Sequence, residues 1–180
     1  MSKQLSESDY PVPNTLKGAH CVFKGVRFDV CQLTVQDHTK EAILHPGAAV
    51  ILPIKADGTV VMIRNERFVV GETLLELPAG TIDPGEAPLK TAARELTEET
   101  GYVAKKVELL TEFYSSPGIC TEKLYAYVAT DLTLTQQQLD ETEKITVVEY
   151  SWKEIKQLIH KGEIKDAKSL VTLMYYMTRQ

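Results

Sequence analysis

Residues 80–102 read GTIDPGEAPLKTAARELTEETGY, and the rest of the chain is best read outward from them. The spacing predicts a helix over residues 88–100. Pro88 suits a first turn, where its missing N–H is no loss. Ala92, Ala93 and Leu96 supply helix formers and a packing side, and Gly101 suits a left-handed stop. On such a helix Glu95 lies three and four positions before Glu98 and Glu99, so the three carboxylates crowd one face. Like charges at that spacing destabilise a helix by roughly 0.2–0.5 kcal/mol per pair. Arg94 relieves part of this by reaching Glu98 one turn on. A hard divalent cation would relieve the rest. Mg²⁺ takes oxygen ligands, few of them protein carboxylates, together with phosphate oxygens from a substrate.

Gly80, Glu86, Arg94, Glu95, Leu96, Glu98, Glu99 and Gly101 stand at the spacings of the Nudix box, G-x5-E-x7-R-E-U-x-E-E-x-G-U, where U is apolar. The stretch resembles that box at every fixed position. Tyr102 replaces the usual aliphatic residue at the end, a change expected to affect packing behind the helix rather than chemistry. The competing reading is a solvated acidic helix end.

The chain has 180 residues, enough for one domain with a substantial core. It is 43% hydrophobic and 25% charged, as soluble globular proteins are. A net charge of −5 argues against general nucleic-acid or membrane-surface binding, which needs a basic stripe. It leaves a phosphate substrate open, since bound metal supplies positive charge. The opening MSKQLSESDY lacks the apolar core of a secretory signal, and no apolar run reaches membrane-spanning length. A cytoplasmic location is therefore expected. Cys21, Cys31 and Cys120 are odd in number and lack metal-type spacing, so reduced thiols are expected. His20, His38, His45 and His160 are scattered and are not expected to form a metal site.

Along the chain, residues 1–15 read as a loose lead-in. Residues 22–35 read as extended, with a phase change near Val30 and Cys31 that predicts a break or bulge there. His45-Pro46-Gly47 is a turn. Residues 48–54 are a strongly apolar strand, Asp57-Gly58 a hairpin signal, and residues 60–64 the return strand. Further strands are expected over 74–79, 107–114, 124–129 and 145–148. Ser151 and Glu154 form a capping box opening a helix, and Asp166 caps a last helix whose Leu170, Leu173, Met174 and Met177 are read as core. Strands and helices interleave without a regular βαβ rhythm, which favours a mixed sheet between helices. The resemblance implies an α/β fold: a Nudix α/β/α sandwich, here with an added N-terminal antiparallel strand region. One domain over 1–180 is expected, with the strand region to about residue 45 and the core from 46 to 180.

Three further segments resemble the ADP-ribose pyrophosphatase branch, which includes other nucleoside diphosphate sugar hydrolases. They are Leu75-Glu76-Leu77-Pro78-Ala79-Gly80, the Ser116-Pro117-Gly118 loop with Pro117 sixteen residues after Gly101, and the acidic run Asp140–Ile145. Where that branch often carries Gln-Tyr-Arg, this chain has Asn65-Glu66-Arg67. The resemblance implies hydrolysis of a nucleotide-sugar pyrophosphate that depends on Mg²⁺, with Mn²⁺ as the alternative ion. It implies Glu95, Glu99 and the Ala79 carbonyl as metal ligands, assisted by Glu98, with Glu86 one step removed. Arg94 is read as orienting the box glutamates, since a guanidinium holds two carboxylates in fixed geometry. Arg67 is a candidate grip on phosphate, and Ser116, Pro117 and Gly118 are candidate substrate contacts. The general base is expected in the acidic loop, with Glu141 favoured as base and Glu143 as ligand; Glu122 and Glu98 stand behind them. A homodimer is expected, with Phe28 stacking on the base across the interface. Two other readings are a non-catalytic nucleotide-sugar sensor, which the intact glutamates disfavour, and an RNA-decapping enzyme, which the net charge disfavours.

Overall fold

The computed structural model describes residues 12–180; the expected lead-in lies largely outside them. After a short 3-10 turn at Asn14–Leu16 come β1 (His20–Lys24), β2 (Asp29–Val35), β3 (His38–Leu44), β4 (Ala48–Pro53), β5 (Val60–Arg67), β6 (Glu72–Glu76) and β7 (Ala79–Thr81). Then follow α1 (Pro88–Thr100), β8 (Tyr102–Tyr114), β9 (Lys123–Leu134), β10 (Ile145–Tyr150), α2 (Trp152–His160) and α3 (Ala167–Met177).

The unbroken apolar run of β4 is explained by burial on both faces. Ala49 and Ile51 pack with Val61, Ala92, Leu96, Tyr102 and Tyr127 toward α1. Val50 and Leu52 pack with Met62, Leu75, Leu77, Ile155, Ile164 and Leu173 toward α2 and α3. Strands between two helical layers make an α/β/α sandwich. Two sheets form its middle, β7-β4-β9-β8 and β10-β5-β6. The β4–β9 pair is parallel and the other ladders are antiparallel, so the sheet is mixed. The added N-terminal sheet, β1-β2-β3, is antiparallel. It joins the core where Ile43 N–H donates to the Ile119 carbonyl and Thr121 N–H to the Ile43 carbonyl, at 2.8 and 2.9 Å.

Several local expectations are met, including the capping box at Ser151 and the Asp166 cap. Others are corrected. Residues 22–35 are two strands rather than one, the chain turning at residues 25–28, closed by Gly25 N–H to the Phe28 carbonyl; the expected irregularity is present, since the register shift between Cys21 and Phe23 of β1 falls opposite Val30 and Cys31. β3 carried no sequence signal because its hairpin turns on Gln36 and Asp37, at φ 49° and 63°, without the glycine that usually marks such a turn. Met174 is 52% exposed rather than core; the inward face of α3 holds Leu173 with Ser169 and Thr172, whose hydroxyls are bonded and so tolerate burial. Cys21 and Cys31 are not reduced thiols. Antiparallel pairing sets them directly opposite one another, and they form a disulfide, with Cys120 left free.

Candidate active site

The amphipathic α1 fixes the carboxylates. Thr91, Ala92 and Leu96 are buried on its inner side, and Gly101 ends it at φ 74°. Glu99 is 3% exposed, and its one side-chain hydrogen bond is from Ala79 N–H to Oε2, 2.8 Å. Glu95 lies against Gly80 so closely that a Cβ there would sit 1.8 Å from Glu95 Oε1. Only glycine at position 80 leaves room for that carboxylate.

Arg94 gathers the rest. Its Nη1 donates to Glu95 Oε1 at 2.7 Å and to Glu98 Oε2 at 2.9 Å, and its Nη2 and Nε to Glu86 at 3.0 and 3.3 Å. One guanidinium thus ties three box glutamates. It does not reach Glu99. Hydrogen bonding to Arg94 holds the Glu86 carboxyl below its usual range. Burial instead pushes Glu95 up to about 7, against the pull of Arg94. It pushes Glu99 up to about 8, against the Ala79 N–H and with the nearby Glu95 and Glu143 charges adding to the rise.

These groups open on a cleft of about 910 Å³, a size suited to a small-molecule ligand. Arg67 and Lys168 also line it, both bonded to the buried Glu76. Arg67 Nε and Nη2 donate to the two oxygens of Glu76 at 2.8 and 2.7 Å, and Lys168 Nζ bonds one of them. Burial alone would raise the Glu76 carboxyl, but Arg67 and Lys168 outweigh it and hold the group below its usual range. Lys168 also reaches Asp166, the cap of α3. His45 and Glu122 line the cleft too, with Nδ1 and Oε1 3.7 Å apart. Nδ1 accepts a bond from Gly47 N–H, and burial lowers the imidazole's pKa.

Of the residues singled out in the sequence, Ala79, Arg94, Glu95, Glu99, Arg67, Glu122, Glu143 and Phe28 stand together on this cleft. Phe28 lies on the wall of its own chain's cleft, beside Arg27 in the β1–β2 turn. Glu141 is exposed and does not line the cleft, and the same holds for Ser116, Pro117 and Gly118; their neighbours Tyr114 and Ser115 do line it. Glu76, Lys168 and His45 were not foreseen. Lys168 carried one usable signal: a cation in a helix's first turn opposes the dipole, so it needs a carboxylate elsewhere.

The Nudix domain family matches residues 43–173. The chain belongs to the Nudix family. It is 36% identical over 143 residues to an ADP-ribose pyrophosphatase of Bacillus subtilis (strain 168), covering 78% of this chain and 77% of that one. It is 34% identical over 147 residues to a methanol dehydrogenase activator of Bacillus methanolicus, covering 81% and 80%. It is 38% identical over 138 residues to a GDP-mannose pyrophosphatase of Yersinia pestis (strain Pestoides F), covering 72% and 69%. The solved structure of an ADP compounds hydrolase has the same fold, with a TM-score of 0.74 at 23% identity over 98% of this chain and 96% of that one.

Nudix hydrolases work with a divalent cation, and the box residues here suit one. Glu99 is buried without a cation bonded to it, and beside it the half-buried Glu95 sits under a glycine that leaves room for its carboxylate. Among the described residues no three acidic, histidine or cysteine groups already converge as a closed cage. Among the described residues no helix is long and apolar enough to cross a membrane.

Proposed function

We propose that this Nudix protein hydrolyses the pyrophosphate of ADP-ribose or a related nucleoside diphosphate sugar, using Mg²⁺ or Mn²⁺ and releasing a nucleoside monophosphate and a sugar phosphate. The observation that carries the reading is the pair of buried Glu99 and half-buried Glu95 on a cleft that also holds Arg67. The ADP-ribose and GDP-mannose pyrophosphatase relatives support the substrate class. Glu95, Glu99 and the Ala79 carbonyl would hold the cation, which when bound neutralises the diphosphate and lowers the pKa of the attacking water. Arg94 keeps Glu95 and Glu98 in fixed geometry. Arg67 has donors beyond the two that Glu76 takes, and these serve a phosphate oxygen. Phe28 offers a ring for the base.

The acidic loop supplies the proton acceptor. Glu143 lines the cleft and lies in electrostatic range of both Glu95 and Glu99. That geometry favours Glu143 over Glu141 for the part nearest the reaction, reversing the order favoured from sequence. The Pro117 loop is assigned to shaping the wall through Tyr114 and Ser115.

A homodimer is supported by exposed Val22, Phe23 and Val35 on the N-terminal strands, apolar surface that a second copy would cover; sedimentation as a monomer at micromolar concentration overturns it. The β3 to Ile119–Thr121 bonds support treating the strand region and the core as one domain. The substrate class supports a cytoplasmic site, against which the Cys21–Cys31 bond is the one contrary sign.

The test is a panel of ADP-ribose, GDP-mannose, ADP-glucose and capped RNA with and without chelator. ADP-ribose or another sugar nucleotide is cut, and chelation stops it. Metal-independent cleavage, or cleavage of none of the sugar nucleotides, overturns the reading. Glu143→Gln should lower kcat by roughly 10²–10⁴-fold with little change in KM, as loss of a general base does.

A further inference from the structure

The last carbonyls of any helix need donors from outside it, and α1 has no basic residue in its last turn to help. One short segment supplies them. Gln138 N–H donates to the Glu98 carbonyl at 2.9 Å, and Gln137 Nε2 to the Glu99 carbonyl at 2.6 Å. Thr135 N–H and Oγ1 donate to the Gly101 carbonyl at 2.6 and 2.7 Å. The approach is close: a Cβ on Gly101 would lie 2.9 Å from Gln137 N. Gly101 is thus needed twice, for the left-handed turn and for the passage of this segment.

The same segment leads into the acidic loop. Asp140 follows Gln138 by two residues, and the loop folds on itself through Glu143 N–H to the Asp140 carbonyl, 3.0 Å, and Asp140 N–H to Glu143 Oε2, 3.1 Å. Its other end is fixed on β5, where Lys144 Nζ reaches both oxygens of Glu66 at 3.1 Å and Glu66 N–H meets the Lys144 carbonyl. The loop therefore spans two anchors, the end of the carboxylate helix and β5, the central strand of its sheet. The Lys144–Glu66 pair is exposed and weak. The Gln137 bond is half-buried and is made to the backbone of Glu99 itself.

We propose that Gln137 is a positioning residue: it clamps the acidic loop to the last turn of α1, so that Glu143 is held in register with Glu95 and Glu99. The inference rests on the reading that this loop serves the reaction. It explains why a polar, otherwise unremarkable glutamine is tucked into the helix end.

The test combines hydrogen exchange on the metal-free protein with steady-state kinetics. In Gln137→Ala the amides of Gln138 and Glu143 should exchange roughly five- to tenfold faster, the loss expected for one hydrogen bond, while amides inside α1 stay protected. kcat should fall by a similar factor with KM within about twofold. Gln137→Lys keeps a donor and puts a cation at the helix C-terminus, and should restore both readouts. Gln136→Ala, at an exposed neighbour, should change neither. Unchanged exchange and kcat in Gln137→Ala, while Glu143→Gln is crippled, overturns the clamp and leaves the loop's role intact. Loss of protection throughout α1 also overturns it, because Gln137 would then be a helix cap alone. If Glu141→Gln and Glu143→Gln both keep full kcat, the loop is not catalytic and Gln137 has no place in the reaction, whatever its exchange shows.

Discussion

Glu76 and Glu99 are the same residue type, buried to nearly the same degree and lining one cleft, and they have opposite electrostatics. Glu76 is 1% exposed and takes Arg67 through both oxygens and Lys168 through one. Glu99 is 3% exposed and takes one backbone N–H; the carboxylates Glu95 and Glu143 act on it, and Arg67, hydrogen-bonded to Glu76, offsets them only in part. Burying an ionised carboxylate is costly unless it is paired. Glu76 meets that condition within the protein, and its pKa falls. Glu99 does not, and its pKa climbs to about 8. A buried carboxylate completed by the chain's own cations is a brace. One left beside other carboxylates, at the mouth of a cleft, is fitted for a cation from outside.

The largest consequence is for activity at Glu99. Glu99→Gln removes a charge with little change of shape, and cleavage should fall by at least about 100-fold, beyond the 10–100-fold typical of partners that only support a metal ligand. Metal-free stability should hold or rise, because a desolvated charge has been removed. A clear fall in metal-free melting temperature would make Glu99 a brace like Glu76. Glu76→Gln should do the reverse. It takes the buried counter-charge from half-exposed Arg67 and leaves Lys168 with Asp166 alone, and stability should fall by on the order of 2 kcal/mol, less than for a fully buried pair because Arg67 reaches water. Urea melts measure this, and an unchanged midpoint would remove the distinction.

The pH dependence should separate the two more gently. Glu99 has a folded-state pKa above its unfolded one, so the native state holds the extra proton. Its contribution is complete below the ordinary carboxylate range and is lost as pH rises through about 8. Glu76 is depressed, so its contribution is present above that range and is lost as pH falls through its folded value. Metal-free wild type should therefore lose stability toward both limbs. Glu99→Gln should flatten the alkaline limb in part, since Glu95 near 7 shares it, and Glu76→Gln the acid one. The opposite assignment in melts from pH 4 to 9 would sink the comparison.

Of these two groups, only Glu99 was legible in the sequence. Its role follows from spacing along one helix, as do Glu95, Arg94 and the two glycines, because i,i+3 and i,i+4 relations are local. Glu76 sat in view between Leu75 and Leu77, but its partners come from β5 and from α3, 92 residues away in the case of Lys168. Such pairing is set by tertiary packing, on which a single sequence is silent. The fold was legible where apolar patterning was strong, as in β4, and failed where a turn lacked its usual residues, at Gln36-Asp37. The acidic loop was found from its run of charges, yet the choice between Glu141 and Glu143 depends on which one faces the cleft, a matter of one residue's orientation.

The most direct test is cation-dependent stabilisation, measured as melting temperature against Mg²⁺ or Mn²⁺ for wild type, Glu99→Gln and Glu76→Gln, with chelator as the reference. A cation that binds the folded state stabilises it by about 2.7 kcal/mol at a hundred times its Kd. Wild type should climb with cation concentration, Glu76→Gln should climb by the same increment from a lower start, and Glu99→Gln should lose most of the rise. Equal stabilisation of Glu99→Gln and wild type, or its loss in Glu76→Gln alone, would contradict the assignment of Glu99 as the carboxylate that a cation completes.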